Sequence, residues 1–172
     1  MGFRDTSLLC KIVLILLVLC LCIDLIGFAI PYWNTVDKLD TKFNVGLWNQ
    51  CTEKNGTKEC TKFSDSDIKD WSNAVRALSI LSWVFFLVAL VLVIIFVFIK
   101  SEKKALYVGA VCISFAGAVC ALVAFAVFAA FAAQLNSNKY HASFALTIIS
   151  FILGMVIGIT GMLDCLGIVG GK

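Results

Sequence analysis

The chain has 172 residues, of which 61% are hydrophobic and 15% charged, and a formal net charge of +3. A soluble domain is about half apolar, so this excess calls for lipid as a second solvent. The small, scattered charge gives no argument for a nucleic-acid partner.

Four apolar runs, at residues 8–30, 77–99, 105–133 and 142–163, each reach the roughly 20 residues a helix needs to cross a bilayer core. Only helices or closed barrels satisfy their backbone in lipid, and runs this long are helices. Residues 1–172 therefore read as one four-span membrane domain, with no separate soluble domain. The first run is too long for a signal peptide. Pro31, Tyr32 and Trp33 follow it, where a cleavage site would need small residues. It reads as a retained first helix, ended by Pro31, the single proline. Asp24 is the one acid deep within a span. Intramembrane acids are functional candidates by default. By depth, Ser82 and Ser150 face it, while Arg76 lies nearer the surface. The favoured reading is a neutral, hydrogen-bonded structural acid.

The first loop covers about residues 32–75 and contains GLWNQCTEKNGTKEC at 46–60. Asn-Gly is a strong hairpin signal, because a type I′ turn needs positive φ at both central residues. With Asn55 and Gly56 as the turn, counting outward pairs Lys54 with Thr57 and Glu53 with Lys58. It then pairs Thr52 with Glu59, and Cys51 with Cys60. The cysteines fall on a non-hydrogen-bonded pair, where Cα atoms lie about 4.5 Å apart, a spacing a disulfide tolerates. Closing a loop of about ten residues stabilises by roughly 2.7 kcal/mol in the chain-entropy description. An isolated hairpin is marginal in water, so more strands must join it. Residues 43–48 and the stretch before Trp33 are the candidates. Asn55-Gly56-Thr57 is also a sequon, which makes Asn55 a candidate N-glycosylation site. The tip, Glu53, Lys54, Asn55, Gly56, Thr57 and Lys58, is a candidate contact surface, with the second loop at 134–141.

Four spans put both termini on one side. The KSEKK loop at 100–104 shares that side with Arg4, Lys11 and Lys172, a density of positive charge that marks cytoplasm. The cysteine pair and the sequon fit the oxidising, glycosylating side, so the long loop is expected outside. The other six cysteines lie in or at the ends of spans and read as small hydrophobes. Cys10 and Cys165, near the cytoplasmic face, are candidates for palmitoylation. Gly154, Gly158 and Gly161 share one face of the last span. Small residues there let helices approach closely, and packing within the bundle is the expected use. His141 is the single histidine and joins no cysteine cluster, so no metal site is expected. There is no nucleophile–base pair, phosphate loop or carboxylate pair. No catalytic residues, cofactor or small-molecule substrate are expected.

Trp33, then Gly46-Leu47-Trp48, then Cys51 and Cys60, resembles the W…GLW…C…C signature of the claudin superfamily. That group includes the peripheral myelin protein, the epithelial membrane proteins and the lens fibre membrane protein. The segment DWSNAVRALSILS at 70–82 also resembles the start of the family's second helix, with Arg76 at its arginine position. The resemblance implies an all-α transmembrane four-helix bundle under a small extracellular antiparallel β-sheet. It implies a non-enzymatic plasma-membrane protein of cell–cell contact, barrier formation or membrane organisation. The alternative is an auxiliary subunit of an ion channel or receptor. Expected partners are membrane lipid and either copies of itself, in cis or in trans, or another membrane protein such as an ion channel. The sequence ends Val169-Gly170-Gly171-Lys172 rather than in a Tyr-Val tail, and its first loop is short for a tight-junction claudin. Both features tilt the resemblance toward the myelin, epithelial and lens branch.

Overall fold

The structure, a computed structural model, describes residues 6–38, 41–54, 56–63, 70–99, 104–134 and 140–167. Four helices long and apolar enough to cross a membrane dominate it: α1 (Leu8–Ala29), α2 (Asp70–Phe98), α3 (Lys104–Gln134) and α4 (Ala142–Cys165). Between α1 and α2 the chain forms β1 (Asn34–Lys38), β2 (Thr41–Val45), β3 (Asn49–Lys54) and β4 (Thr57–Lys62). These make one antiparallel sheet in the order β1-β2-β3-β4.

Each boundary has a local cause. At the start of α1 the Ser7 hydroxyl accepts from the Cys10 amide at 3.0 Å, satisfying one of the unpaired donors of the first turn. The same hydroxyl donates to Asp164 at 2.7 Å and ties the start of α1 to the end of α4. The other end of α1 closes at Ile30, whose extended ψ of 146° is the conformation Pro31 imposes on its predecessor. Helix α2 starts at Asp70, ahead of the apolar run at 77, because its first turns are polar yet helix-compatible. The acid in that first turn complements the helix dipole.

The hairpin register follows the turn chemistry. Lys54 faces Thr57, Glu53 faces Lys58 and Cys51 faces Cys60. Gly56 has φ of +78°, the left-handed region a type I′ turn demands. Asn55 lies outside the described residues, and so does its use as a glycosylation site. The sheet corrects one expectation. Strand β2 occupies part of 43–48 as expected, but the other added strand, β1, follows Trp33 instead of preceding it. The stretch before Trp33 is committed elsewhere: Tyr32 and Trp33 carbonyls accept from Ser143 and His141 amides at the head of α4.

Helix α2 packs on α3, α3 on α4, α4 on α1 and α1 on α2, closing a four-helix ring. One core fills the bundle around Leu17, Phe86, Val93 and Ile157. A second lies under the sheet around Trp33, Leu47, Val75 and Phe128. Ile15, Val119, Ile152 and Ile159 are about half exposed, on faces suited to lipid. The glycine face of α4 meets α3. A Cβ at Gly154 would stand 2.9 Å from the Ala118 Cβ, and one at Gly158 2.5 Å from the Phe115 ring. One at Gly161 would collide with Val111. Close backbone approach thus replaces hydrophobic drive in holding α3 to α4.

Gly154→Ala is expected to destabilise by about 1–3 kcal/mol, since Ala118 has no flexible end to move aside. Gly109→Ala meets open space and is the matched control. Thermal unfolding of the purified proteins in detergent compares the two.

Candidate functional site

The sheet is fastened to the helices through the end of α1. In a helix the carbonyl of residue i accepts from the amide of i+4. For Gly27 that partner is Pro31, which has no N–H. The Trp33 indole supplies the missing donor at 3.0 Å. The next carbonyl, of Phe28, loses its partner because the chain has turned extended at Ile30. The Trp48 indole takes it at 2.9 Å. Two tryptophans therefore cap the helix by side chain.

Trp33 is fully buried, with its ring 4.8 Å from that of Phe128 and 6.4 Å from that of Phe144. It is wedged between α3 and α4. Its own amide donates to Val45 in the sheet at 3.0 Å. Gly46 lies against the Pro31 backbone, where a side chain would collide with the Pro31 Cα. Leu47 is buried in the sheet-side core. Arg76 on α2 donates through Nε to the Leu47 carbonyl at 2.7 Å. Its guanidinium lies over the rings of Trp48, at 5.3 Å, and Phe63, at 5.8 Å. Trp33, Gly46, Leu47, Trp48 and Arg76 thus form one joint between α1, the β2–β3 turn and α2.

Cys51 and Cys60 form a disulfide with Cα atoms 4.0 Å apart. Cys51 is buried and Cys60 exposed, and as directly opposed residues they put the bridge on one face of the hairpin. All six residues of β4 are exposed, and β4 has a neighbour on one side only. Glu53, Lys54, Gly56 and Thr57 project from the hairpin tip. Lys58 is held back: its ammonium donates to the Tyr32 hydroxyl and sits 4.8 Å above that ring. Of the second loop, Gln134, which ends α3, and Tyr140 and His141 are described. Tyr140 forms a β-bridge with Asn34 and stacks on Phe144, and the His141 ring lies 5.6 Å from Tyr32.

The family model of PMP-22/EMP/MP20/Claudin proteins matches residues 6–161. The chain belongs to the PMP-22/EMP/MP20/Claudin family. Family membership makes it a multi-pass membrane protein with a role at cell junctions or in membranes. The family is non-enzymatic. No individual curated protein matches the chain closely enough to be named as a relative. The joint of Trp33, Gly46, Leu47, Trp48 and Arg76 gives the W…GLW…R part of the family pattern a physical reason. Each residue caps, fits or braces the point where α1 hands over to the sheet. Phe128 and Phe144, which complete the Trp33 socket, carry no such signal. They are ordinary apolar residues of α3 and α4 until the fold brings them together.

The remaining candidates are placed separately. Asp24 is buried in the bundle, 2% exposed, beside Ser82 of α2 and Ser150 of α4. Its Oδ2 and both serine hydroxyls are buried without a hydrogen-bond partner of good geometry. Arg76 is engaged at the sheet end with Leu47. Cys165 is exposed at the end of α4, but Cys10 is buried in the bundle core. Burial removes Cys10 from the palmitoylation candidates, because an acyl-transferase needs an accessible thiol. Among the described residues no three His, Cys, Asp or Glu side chains gather as a metal site.

Trp33→Phe keeps an aromatic ring in the socket and deletes the donor to Gly27. The orphaned carbonyl is expected to cost about 1–3 kcal/mol. Thermal unfolding checks this, with disulfide formation as a control for the sheet.

Proposed function

We propose that this protein is a non-enzymatic plasma-membrane contact protein, acting in cell–cell contact, barrier formation or membrane organisation through its sheet. The sheet faces the exterior and both termini face the cytoplasm in this reading. The carrying observation is the fully exposed edge strand β4, stapled to β3 by Cys51–Cys60 on a sheet braced against the bundle. An edge strand offers unpaired backbone groups, and the hairpin tip offers polar side chains. Rigid support means that a partner pays little ordering entropy. Charge in the first loop is close to balanced, with Lys38, Lys42, Lys54, Lys58, Lys62 and Lys69 against Asp37, Asp40, Glu53, Glu59, Asp65, Asp67 and Asp70. Recognition then rests on shape and backbone more than on net charge. The partners are lipid and further copies of the chain, in the same or the opposing membrane. An auxiliary role on an ion channel or receptor is the alternative outcome of the test.

The test mixes two colours of non-adherent cells that express the protein. The expected result is enrichment at contacts where both cells express it, and its loss in Cys51→Ser. Surface level is measured in parallel, because losing the bridge removes about 2–3 kcal/mol from the hairpin. Normal surface expression without enrichment would reject contact between cells and point to partners in the same membrane.

A further inference from the structure

A cleft of about 430 Å³ opens where α1 ends, between α1, β3, β4 and the first turns of α2. Phe28, Trp48, Asn49, Lys62, Phe63 and Arg76 line it. We infer that this cleft seats the phosphate of a phospholipid from the leaflet on the sheet side, between Lys62 and Arg76.

Position is the first argument. Phe28 is in the last turn of the membrane-crossing α1. Three residues on, Pro31 turns the chain toward the polar sheet. The cleft therefore lies at the level of the lipid headgroups, where aromatic side chains and snorkelling cations gather.

Charge is the second. Among the described residues no carboxylate lines the cleft, and two cations face one space. Lys62 is exposed on β4, and its ammonium has no partner among the described residues. Arg76 spends Nε on Leu47 and part of Nη1 on Asn73, at 3.4 Å. Its remaining N–H donors are free among the described residues. Stacking on Trp48 and Phe63 fixes the guanidinium plane. An oriented fork beside a flexible ammonium suits a phosphate, which accepts from both. A quaternary ammonium group alone would be repelled from these rings, because Arg76 already occupies their faces.

The walls are the third. Phe28, Trp48 and Phe63 are apolar surface for the glycerol and the first methylenes. The Asn49 side chain adds a polar group beside the phosphate. A free phosphate ion would use the cations and leave these walls wet, and this difference separates a lipid from a soluble anion.

The full chain, purified in a maltoside detergent, is titrated with phosphatidylcholine, with diacylglycerol of the same acyl chains, and with inorganic phosphate. Thermal unfolding and native mass spectrometry are the readouts. Phosphatidylcholine is expected to raise the unfolding temperature saturably and to be retained as one bound molecule. Diacylglycerol is expected to do neither. Lys62→Ala should weaken the lipid by about tenfold, the scale of one charge-assisted hydrogen bond, and Lys62→Glu should abolish retention. Both variants should unfold at the parent temperature without lipid, since Lys62 is exposed. Equal stabilisation by diacylglycerol, or undiminished retention by Lys62→Glu, would overturn the inference. Inorganic phosphate that stabilises equally and displaces the lipid would reassign the cleft to a soluble anion and overturn it too.

Discussion

A missing proton sets the terms for the sheet side of this molecule. Pro31 ends α1 and, having no amide hydrogen, leaves the Gly27 carbonyl without its helical partner at the edge of the apolar layer. An unsatisfied carbonyl there is costly. The indole of Trp33 answers it at 3.0 Å, and that single bond fixes where the chain leaves the membrane. Trp33 must then be buried between α3 and α4, which demands the Phe128 and Phe144 socket. The β2–β3 turn must come down to meet it, which brings Gly46 onto Pro31 and Trp48 onto Phe28. Arg76 closes the arrangement from α2. The sheet is therefore an extension of a helix cap, and its tilt follows from hydrogen bonds made below it.

What could be read in the sequence divides along physical lines. The hairpin was legible residue by residue, because side-chain alternation and an Asn-Gly turn fix register through local rules, and Cys51–Cys60 follows from that register. The spans were legible because lipid imposes length and polarity. The position of β1 was not, since the peptide groups around Trp33 choose between pairing in the sheet and pairing with the head of α4. That choice is settled by contacts over a hundred residues apart in the chain. The early start of α2 was named by the resemblance at 70–82 but not by hydropathy. Its first turns are polar and lie outside any hydropathy window, although they are helical. For the joint itself, resemblance named Trp33, Trp48 and Arg76, but neither composition nor spacing said that two indoles were helix caps. Cys10 and Cys165 looked alike by depth, and only packing separates them.

Inside the bundle, depth alone brought Asp24, Ser82 and Ser150 to one level, and the fold places them side by side on three helices. Their oxygens are buried and poorly paired, unlike the aliphatic packing around them. Such a group is expensive in a membrane interior, and it limits how the helices can rotate. Turning α1 by one residue would carry the carboxyl toward lipid. The polar trio thus acts against alternative rotations of α1, while the α4 glycines act against separation of α3 and α4.

The bonds from Tyr32 and Trp33 to His141 and Ser143 also bear on biogenesis. All four strands are made early and, the Asn34–Tyr140 bridge apart, pair with their neighbours in sequence, so the meander and its disulfide can form while the rest of the chain is still being synthesised. The surface the sheet rests on, however, includes the head of α4, the last helix to be made. Until α4 is in place, the nascent protein carries a closed sheet without its footing and exposes Trp33 and its aromatic neighbours. A cell that inspects membrane proteins before export would find in that exposed patch a direct report of whether the fourth helix has arrived.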